Sequence, residues 1–177
     1  MCGFFVPGKG KTMKNNMKNL TYAGIVAALY VALTAVSAAF GMSSGAIQVR
    51  ISEALCVLPV YTFAAVPGVT LGCLISNLIF GASLYDIVFG TIATLIGAAG
   101  AYFVKKIPYL ASLPTILSNA IIIPLVLILQ GVGGWNTFPY FAATVGLGEI
   151  IACGVLGTVL IVYFERHEKH RKMLFGK

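Results

Sequence analysis

Apolar residues fill the chain from residue 20 to residue 164 in long runs, interrupted only by short stretches rich in glycine, proline, serine or asparagine. The first run, Leu20 to Phe40, is long enough as a helix, at about 1.5 Å per residue, to cross a hydrocarbon core of about 30 Å. The uncharged break Gly41-Met42-Ser43-Ser44-Gly45 follows it. The apolar region from Ala46 to Phe80 is cut by Pro59, Pro67 and Gly68, which predicts a helix over Gln48 to Phe63 and a short one over Pro67 to Phe80. Further helices are predicted over Leu84 to Phe103, over Pro114 to Gln130 with Pro124 inside it, and over Phe138 to Phe164. The expected fold is all-α and integral to a membrane: a six-transmembrane-helix bundle over residues 20–164, between basic tails at 1–19 (expected to be disordered) and 165–177.

Charge placement turns this pattern into a topology. Eleven of the twelve Lys and Arg residues lie outside the apolar runs. They cluster before the first run, at Lys105-Lys106, and after the last run from Arg166 onward. Basic flanks of this kind stay in the cytoplasm. An even number of crossings is therefore needed between successive clusters, and helices one to four and five to six supply it. Both termini are expected in the cytoplasm, and the loops 41–47, 81–83 and 131–137, which carry no charge, outside. A re-entrant hairpin over 46–80 would satisfy the same parity. With 59% hydrophobic and 10% charged residues, the chain has too much apolar surface for a soluble domain of 177 residues. The net charge of +7 belongs to the flanks, which argues against a nucleic-acid face.

Several chemistries are disfavoured. The amino terminus lacks the A-x-A site of a cleavable signal. Gly10-Lys11-Thr12 falls short of a phosphate-binding loop, because Phe5 stands where its first Gly is required. The cysteines Cys2, Cys56, Cys73 and Cys153 form no CxxC pair and are read as small packing residues. The two histidines, His167 and His170, lie in the basic tail, so no nucleophile–histidine set is available in the spans. Neither an enzyme nor a metal or other cofactor is expected.

The informative residues are the ionisable ones within the spans: Arg50, Glu53, Asp86 and Glu149. Each costs at least about 2.5 kcal/mol at a bilayer centre on insertion scales, so each needs a partner, water or a function. The topology brings all of them to the outer half of the membrane, together with Gln48, Asn77, Trp135 and Asn136. That asymmetry describes a pocket open to the outside. Each residue also has a structural alternative. Arg50 and Glu53, spaced i, i+3, can neutralise each other. Asp86 can be a helix N-cap. Glu149 can lock helix packing, and Trp135 can anchor at the interface. Helix one carries a further pattern: Gly24, Ala28 and Ala32 recur at i, i+4, i+8, beside a stripe containing Ala23 and Ala27. Small residues so spaced let another helix approach closely, either within the bundle or on a partner protein.

The stretch Ala46-Ile47-Gln48-Val49-Arg50-Ile51-Ser52-Glu53-Ala54-Leu55-Cys56-Val57-Leu58-Pro59 resembles the QueT family, the S components (substrate-binding subunits) of energy-coupling factor transporters for queuosine precursors. Asp86-Ile87-Val88-Phe89-Gly90 and Gly146-Leu147-Gly148-Glu149 are similar to that family as well. The resemblance implies a plasma-membrane uptake system. Its partners would be a transmembrane coupling protein, docked on the small face of helix one, and two cytoplasmic ATPases. Its substrate would be a deazaguanine such as aminomethyl-deazaguanine, queuine or queuosine. Three outer carboxylates against one arginine suit a ligand rich in N–H groups or positively charged. Glu149 is expected to read a guanine-like edge, Asp86 or Glu53 a cationic arm, and Trp135 to stack on the ring. The competing readings are an S component for another vitamin, an independent ion-coupled carrier using Glu149, and an assembly protein without ligand.

Overall fold

The computed structural model describes residues 9–41 and 49–175, and within them every regular element is helical. The α-helices are α1 (Lys9–Ala39), α2 (Ala65–Ile79), α3 (Thr91–Phe103), α4 (Ser112–Leu129), α5 (Phe138–Glu149), α6 (Gly157–Arg166) and α7 (Glu168–Phe175). A ten-residue 3-10 helix, Ile51–Val60, precedes α2. A π-helical turn, Asp86–Gly90, leads into α3, and a π-helical stretch, Ile150–Leu156, joins α5 to α6.

Four helical stretches among the described residues are long and apolar enough to cross a membrane: Asn16–Ala39, Asp86–Phe103, Pro108–Leu129 and Trp135–Arg166. They correspond to the predicted helices one, four, five and six. Predicted helices two and three come out shorter. The 3-10 helix Ile51–Val60 reaches about 20 Å at ~2.0 Å per residue, and α2 about 22 Å at ~1.5 Å per residue. Neither alone matches a hydrocarbon core of about 30 Å. The chain is a multi-pass membrane protein whose exterior carries the apolar side chains this requires, among them Ile25, Leu29, Ile96, Phe103, Ile121 and Val159.

The 3-10 helix is the axis of the fold. Every residue from Ser52 to Val60 is buried, so the helix presents no exposed face and is enclosed by the surrounding helices. Val57 meets α6 where Gly157 leaves room: a Cβ there would lie 2.7 Å from Val57 Cγ1. The helix begins beside the carboxyl-terminal ends of α1 and α2 and runs to Tyr61, whose ring stacks on Phe175 at 5.2 Å. Tighter winding carries ten residues further than an α-helix would.

Helix α1 lies along α2 with almost no gap. A Cβ on Gly72 would stand 2.6 Å from Tyr30 Cβ, and one on Gly68 2.9 Å from the Ala23 carbonyl. Ala23 and Ala27 are consequently buried inside the bundle. This corrects the expectation that they belong to a docking face: they are the small residues that let α2 approach. Gly24, Ala28 and Ala32, on the adjacent stripe of α1, remain exposed.

The two ends of the bundle differ in kind. At one end α2 and α4 close with the left-handed glycines Gly81 (φ 68°) and Gly131 (φ 78°), which return the chain through bonds such as Val132 N–H to the Leu127 carbonyl (3.1 Å). At the other end Phe175 of α7 packs against Tyr22, Tyr61 and Phe164. Lys105, Lys106 and Arg171 gather around Tyr61 there. Glu165 and Glu168 hold Arg171 and Lys172 in ion pairs of 2.9 and 2.8 Å. Within the flanks, α1 begins at Lys9, and α7 folds back on the bundle.

Candidate functional site

The end opposite the basic residues holds a cavity of about 300 Å³. The chain enters it from every long element: Thr34 and Ala38 from α1, Arg50 and Glu53 around the start of the 3-10 helix, Ser76 and Asn77 from α2. Asp86, Gly90 and Thr94 come from the Asp86–Phe103 helix, Asn119 from α4, and Glu149 from α5. Five of the seven residues predicted to bind substrate thus line one cavity: Arg50, Glu53, Asn77, Asp86 and Glu149. Gln48 lies outside the described residues. Trp135 does not line the cavity. It sits on a one-turn 3-10 helix, Trp135–Thr137, with 71% of its surface exposed, so the expected stacking on a ligand ring has no support in this arrangement.

The carboxylates have different standing. Glu53 is buried and already satisfied: Oε1 accepts from Tyr30 Oη, and Oε2 from Cys56 Sγ (3.1 Å). Beside it, Thr34 Oγ1 donates to Ser52 Oγ (2.8 Å), and Ser37 Oγ accepts the Ile51 N–H (2.9 Å). Together these bonds tie the start of the 3-10 helix to α1. The i, i+3 pairing of Arg50 with Glu53 does not form. Arg50 precedes the helix in extended backbone (φ −102°, ψ 104°), so helical spacing does not bring the two side chains together. Arg50 Nη1 donates instead to Asn77 Oδ1 (3.1 Å), while Asn77 Nδ2 donates to the Asp86 carbonyl (3.2 Å).

Asp86 is not the cap of its helix. Ser83 is: its Oγ receives the Asp86 N–H (3.2 Å) and donates to Asp86 Oδ2 (2.9 Å), a reciprocal arrangement close to a capping box. Oδ1 of Asp86 carries no hydrogen bond among the described residues. Glu149 stands at the last residue of α5, where the wider π-helical winding begins. Such local expansions are frequent at functional sites. Asn119 Nδ2 donates to Glu149 Oε1 at 2.8 Å. Oε2 is buried and has no partner among the described residues. Among the described residues, no cation lies within ion-pair distance of Glu53, Asp86 or Glu149, since all three ion pairs belong to the 165–172 segment.

Asn119 is one of the polar lining residues that the sequence-derived set lacks, with Thr34, Ser76 and Thr94. Its signal was an asparagine inside the apolar run 112–129, where an amide needs a partner. The cysteines also do more than fill space. Cys56 donates to Glu53, and Cys73 Sγ accepts from Thr94 Oγ1 (3.3 Å) and Asn77 Nδ2 (3.6 Å).

A lone buried carboxylate oxygen, an arginine with one donor engaged and an aspartate with one oxygen engaged surround a small polar cavity. Comparison with known proteins agrees with a transport role. The family model described as QueT transporter matches residues 20–166. The chain belongs to the QueT transporter family. It is also similar to the protein named Queuosine precursor transporter QueT of Lactococcus lactis subsp. cremoris (strain MG1363), at 35% identity over 83 residues, 47% of this chain and 48% of that protein. The match spans about half the length of that curated relative. No solved structure matches. The chain is thus a multi-pass membrane protein of that family, and the matched residues 20–166 include every residue that lines the cavity.

Proposed function

We propose that the protein is the substrate-binding subunit of an energy-coupling factor importer in the plasma membrane, and that it captures a deazaguanine queuosine precursor from outside. The observation that carries this reading is the unpartnered, buried Oε2 of Glu149 at the cavity wall, with Oε1 fixed by Asn119. A guanine-type edge presents a ring N–H and an exocyclic amine side by side. A carboxylate can accept both, and bonds to an ionised acceptor are roughly twice as strong as neutral ones. Asp86 takes the ammonium arm of an aminomethyl-deazaguanine. Glu53, with both oxygens used inside the protein, shapes the site without reading the ligand. At about 300 Å³ the cavity is at the lower end of the range for small-molecule sites, about 300–1,000 Å³, which favours the free base over the bulkier nucleoside.

In the membrane the chain makes six crossings, two of them short, with the basic end in the cytoplasm and the cavity facing outward. The alternation of cavity end and basic end along the chain supports this, as does the positive-inside rule. Energy comes from two cytoplasmic ATPases through a transmembrane coupling protein, which docks on Gly24, Ala28 and Ala32. These residues are exposed and small, and no side chain of the bundle covers Gly24. The test has two arms. Purified protein should bind aminomethyl-deazaguanine and queuine but not adenine; equal binding of adenine would refute the guanine-edge reading. Uptake by cells should stop when the ATPases are deleted. Uptake that persists would favour a carrier driven by an ion gradient through Glu149.

A further inference from the structure

We infer that Arg50 and Ser76 form a second pole of the cavity, which reads the carbonyl oxygen of the guanine-type ring. The inference rests on the proposed deazaguanine reading and adds the residues that fix ring orientation. Its basis is two sets of unused donors on one wall. Arg50 has five N–H donors, and among the described residues only Nη1 has a partner, Asn77 Oδ1 at 3.1 Å. Ser76 Oγ is buried, lines the same cavity and has no partner among the described residues. Ser76 and Asn77 are consecutive on the last turns of α2, so the side chain that holds the guanidinium is next in sequence to the orphan hydroxyl. Asn77 has no donor to spare, because its NH₂ group serves the Asp86 carbonyl and Cys73 Sγ. It is a positioning residue for Arg50.

The chemistry then selects the ligand group. An arginine with no carboxylate paired to it repels an ammonium arm and attracts an electron-rich atom. A buried hydroxyl without a partner costs free energy that a ligand acceptor recovers. On a guanine-type ring the carbonyl oxygen adjoins the N–H that Glu149 accepts, and it is the strong acceptor of that edge. Glu149 and Asn119 on α5 and α4 thus meet the ring's donors, and Arg50 and Ser76, at the 3-10 helix and α2, meet its acceptor. A ring bound the other way round would set N–H groups against Arg50 and a carbonyl against Glu149.

Replacing the carbonyl oxygen by sulfur tests this, because sulfur accepts hydrogen bonds weakly while the ring N–H and the amine stay in place. Affinities of deazaguanine and its thio analogue are measured by titration calorimetry on purified parent protein and three variants, with thermal melts to check folding. The parent should prefer the oxo ligand by about tenfold, the worth of one good buried hydrogen bond. Arg50→Met should reduce that preference to about twofold or less, because it removes the charged donor. Ser76→Ala should reduce it partly, and it removes a hydroxyl with no protein partner, so it folds like the parent. Glu149→Gln should weaken both ligands and keep the ratio. An unchanged oxo/thio ratio in Ser76→Ala and Arg50→Met, or no preference in the parent, would overturn the assignment while leaving the deazaguanine reading intact. Failure of the parent to bind either ligand would overturn both.

Discussion

Glu149→Gln isolates the centre of the site. In the free protein Oε1 accepts one bond from Asn119 at 2.8 Å, and Oε2 accepts none. Glutamine keeps the shape and can keep the Asn119 bond through its own Oε1. Its NH₂ group then replaces Oε2 and faces the ligand. One donor of the guanine-type edge, which the carboxylate would have accepted, meets another donor. An unpaired buried donor costs about 1–3 kcal/mol, which corresponds to about five- to 150-fold in affinity. Folding should hardly change, since the replaced atom has no partner in the free protein. The assay is calorimetric titration with guanine-type ligands with and without the ammonium arm, alongside a thermal melt. Both ligands should weaken alike, because Glu149 touches the ring and not the arm. If Glu149→Gln binds both within about twofold of the parent while folded, Glu149 is a packing residue and the site is wrong at its centre.

Other outcomes follow from the same geometry. Asp86→Asn should weaken the ligand with the ammonium arm by about tenfold, the scale of a charge-assisted bond, and the ligand without it little; calorimetry with the same pair reads the difference. Ala27→Leu should destabilise the fold by about 1–3 kcal/mol, because it overpacks the face of α1 buried against α2. Ala28→Leu, one residue on but exposed, should melt like the parent and bind ligand normally, yet fail to co-purify with the coupling protein. If Ala28→Leu assembles fully, the exposed stripe of α1 faces lipid only. Trp135→Ala should change ligand affinity by less than about twofold, since the ring lies outside the cavity; a loss of the 1–3 kcal/mol typical of base stacking would place it over the ligand.

The membrane class, the four long spans and the meeting of Arg50, Asn77, Asp86 and Glu149 were legible in the sequence, because apolar runs and basic flanks order the ends of the helices. What was hidden depends on contacts between distant segments. Nine buried residues in a row, Ser52 to Val60, leave no exposed face to set a period, so nothing in Ile51–Val60 distinguishes a 3-10 helix from an α-helix. The spacing of Arg50 and Glu53 suggests a pair, but Tyr30, 23 residues away, takes the carboxylate, and Asn77, 27 residues away, takes the guanidinium. Two stripes of small residues on α1 read alike. Which one is buried was decided by Gly68 and Gly72 on another helix. Asn119 was readable in principle, as a lone amide in an apolar run, but its partner lies 30 residues on.

The central claim is that the cavity holds a deazaguanine. Mass spectrometry of the small molecules released from protein purified out of cells supplied with queuosine precursors tests it most directly. The account predicts a deazaguanine released stoichiometrically from the parent and much depleted from Glu149→Gln. A different class of molecule in the parent, no molecule at all, or equal deazaguanine in both proteins would contradict it.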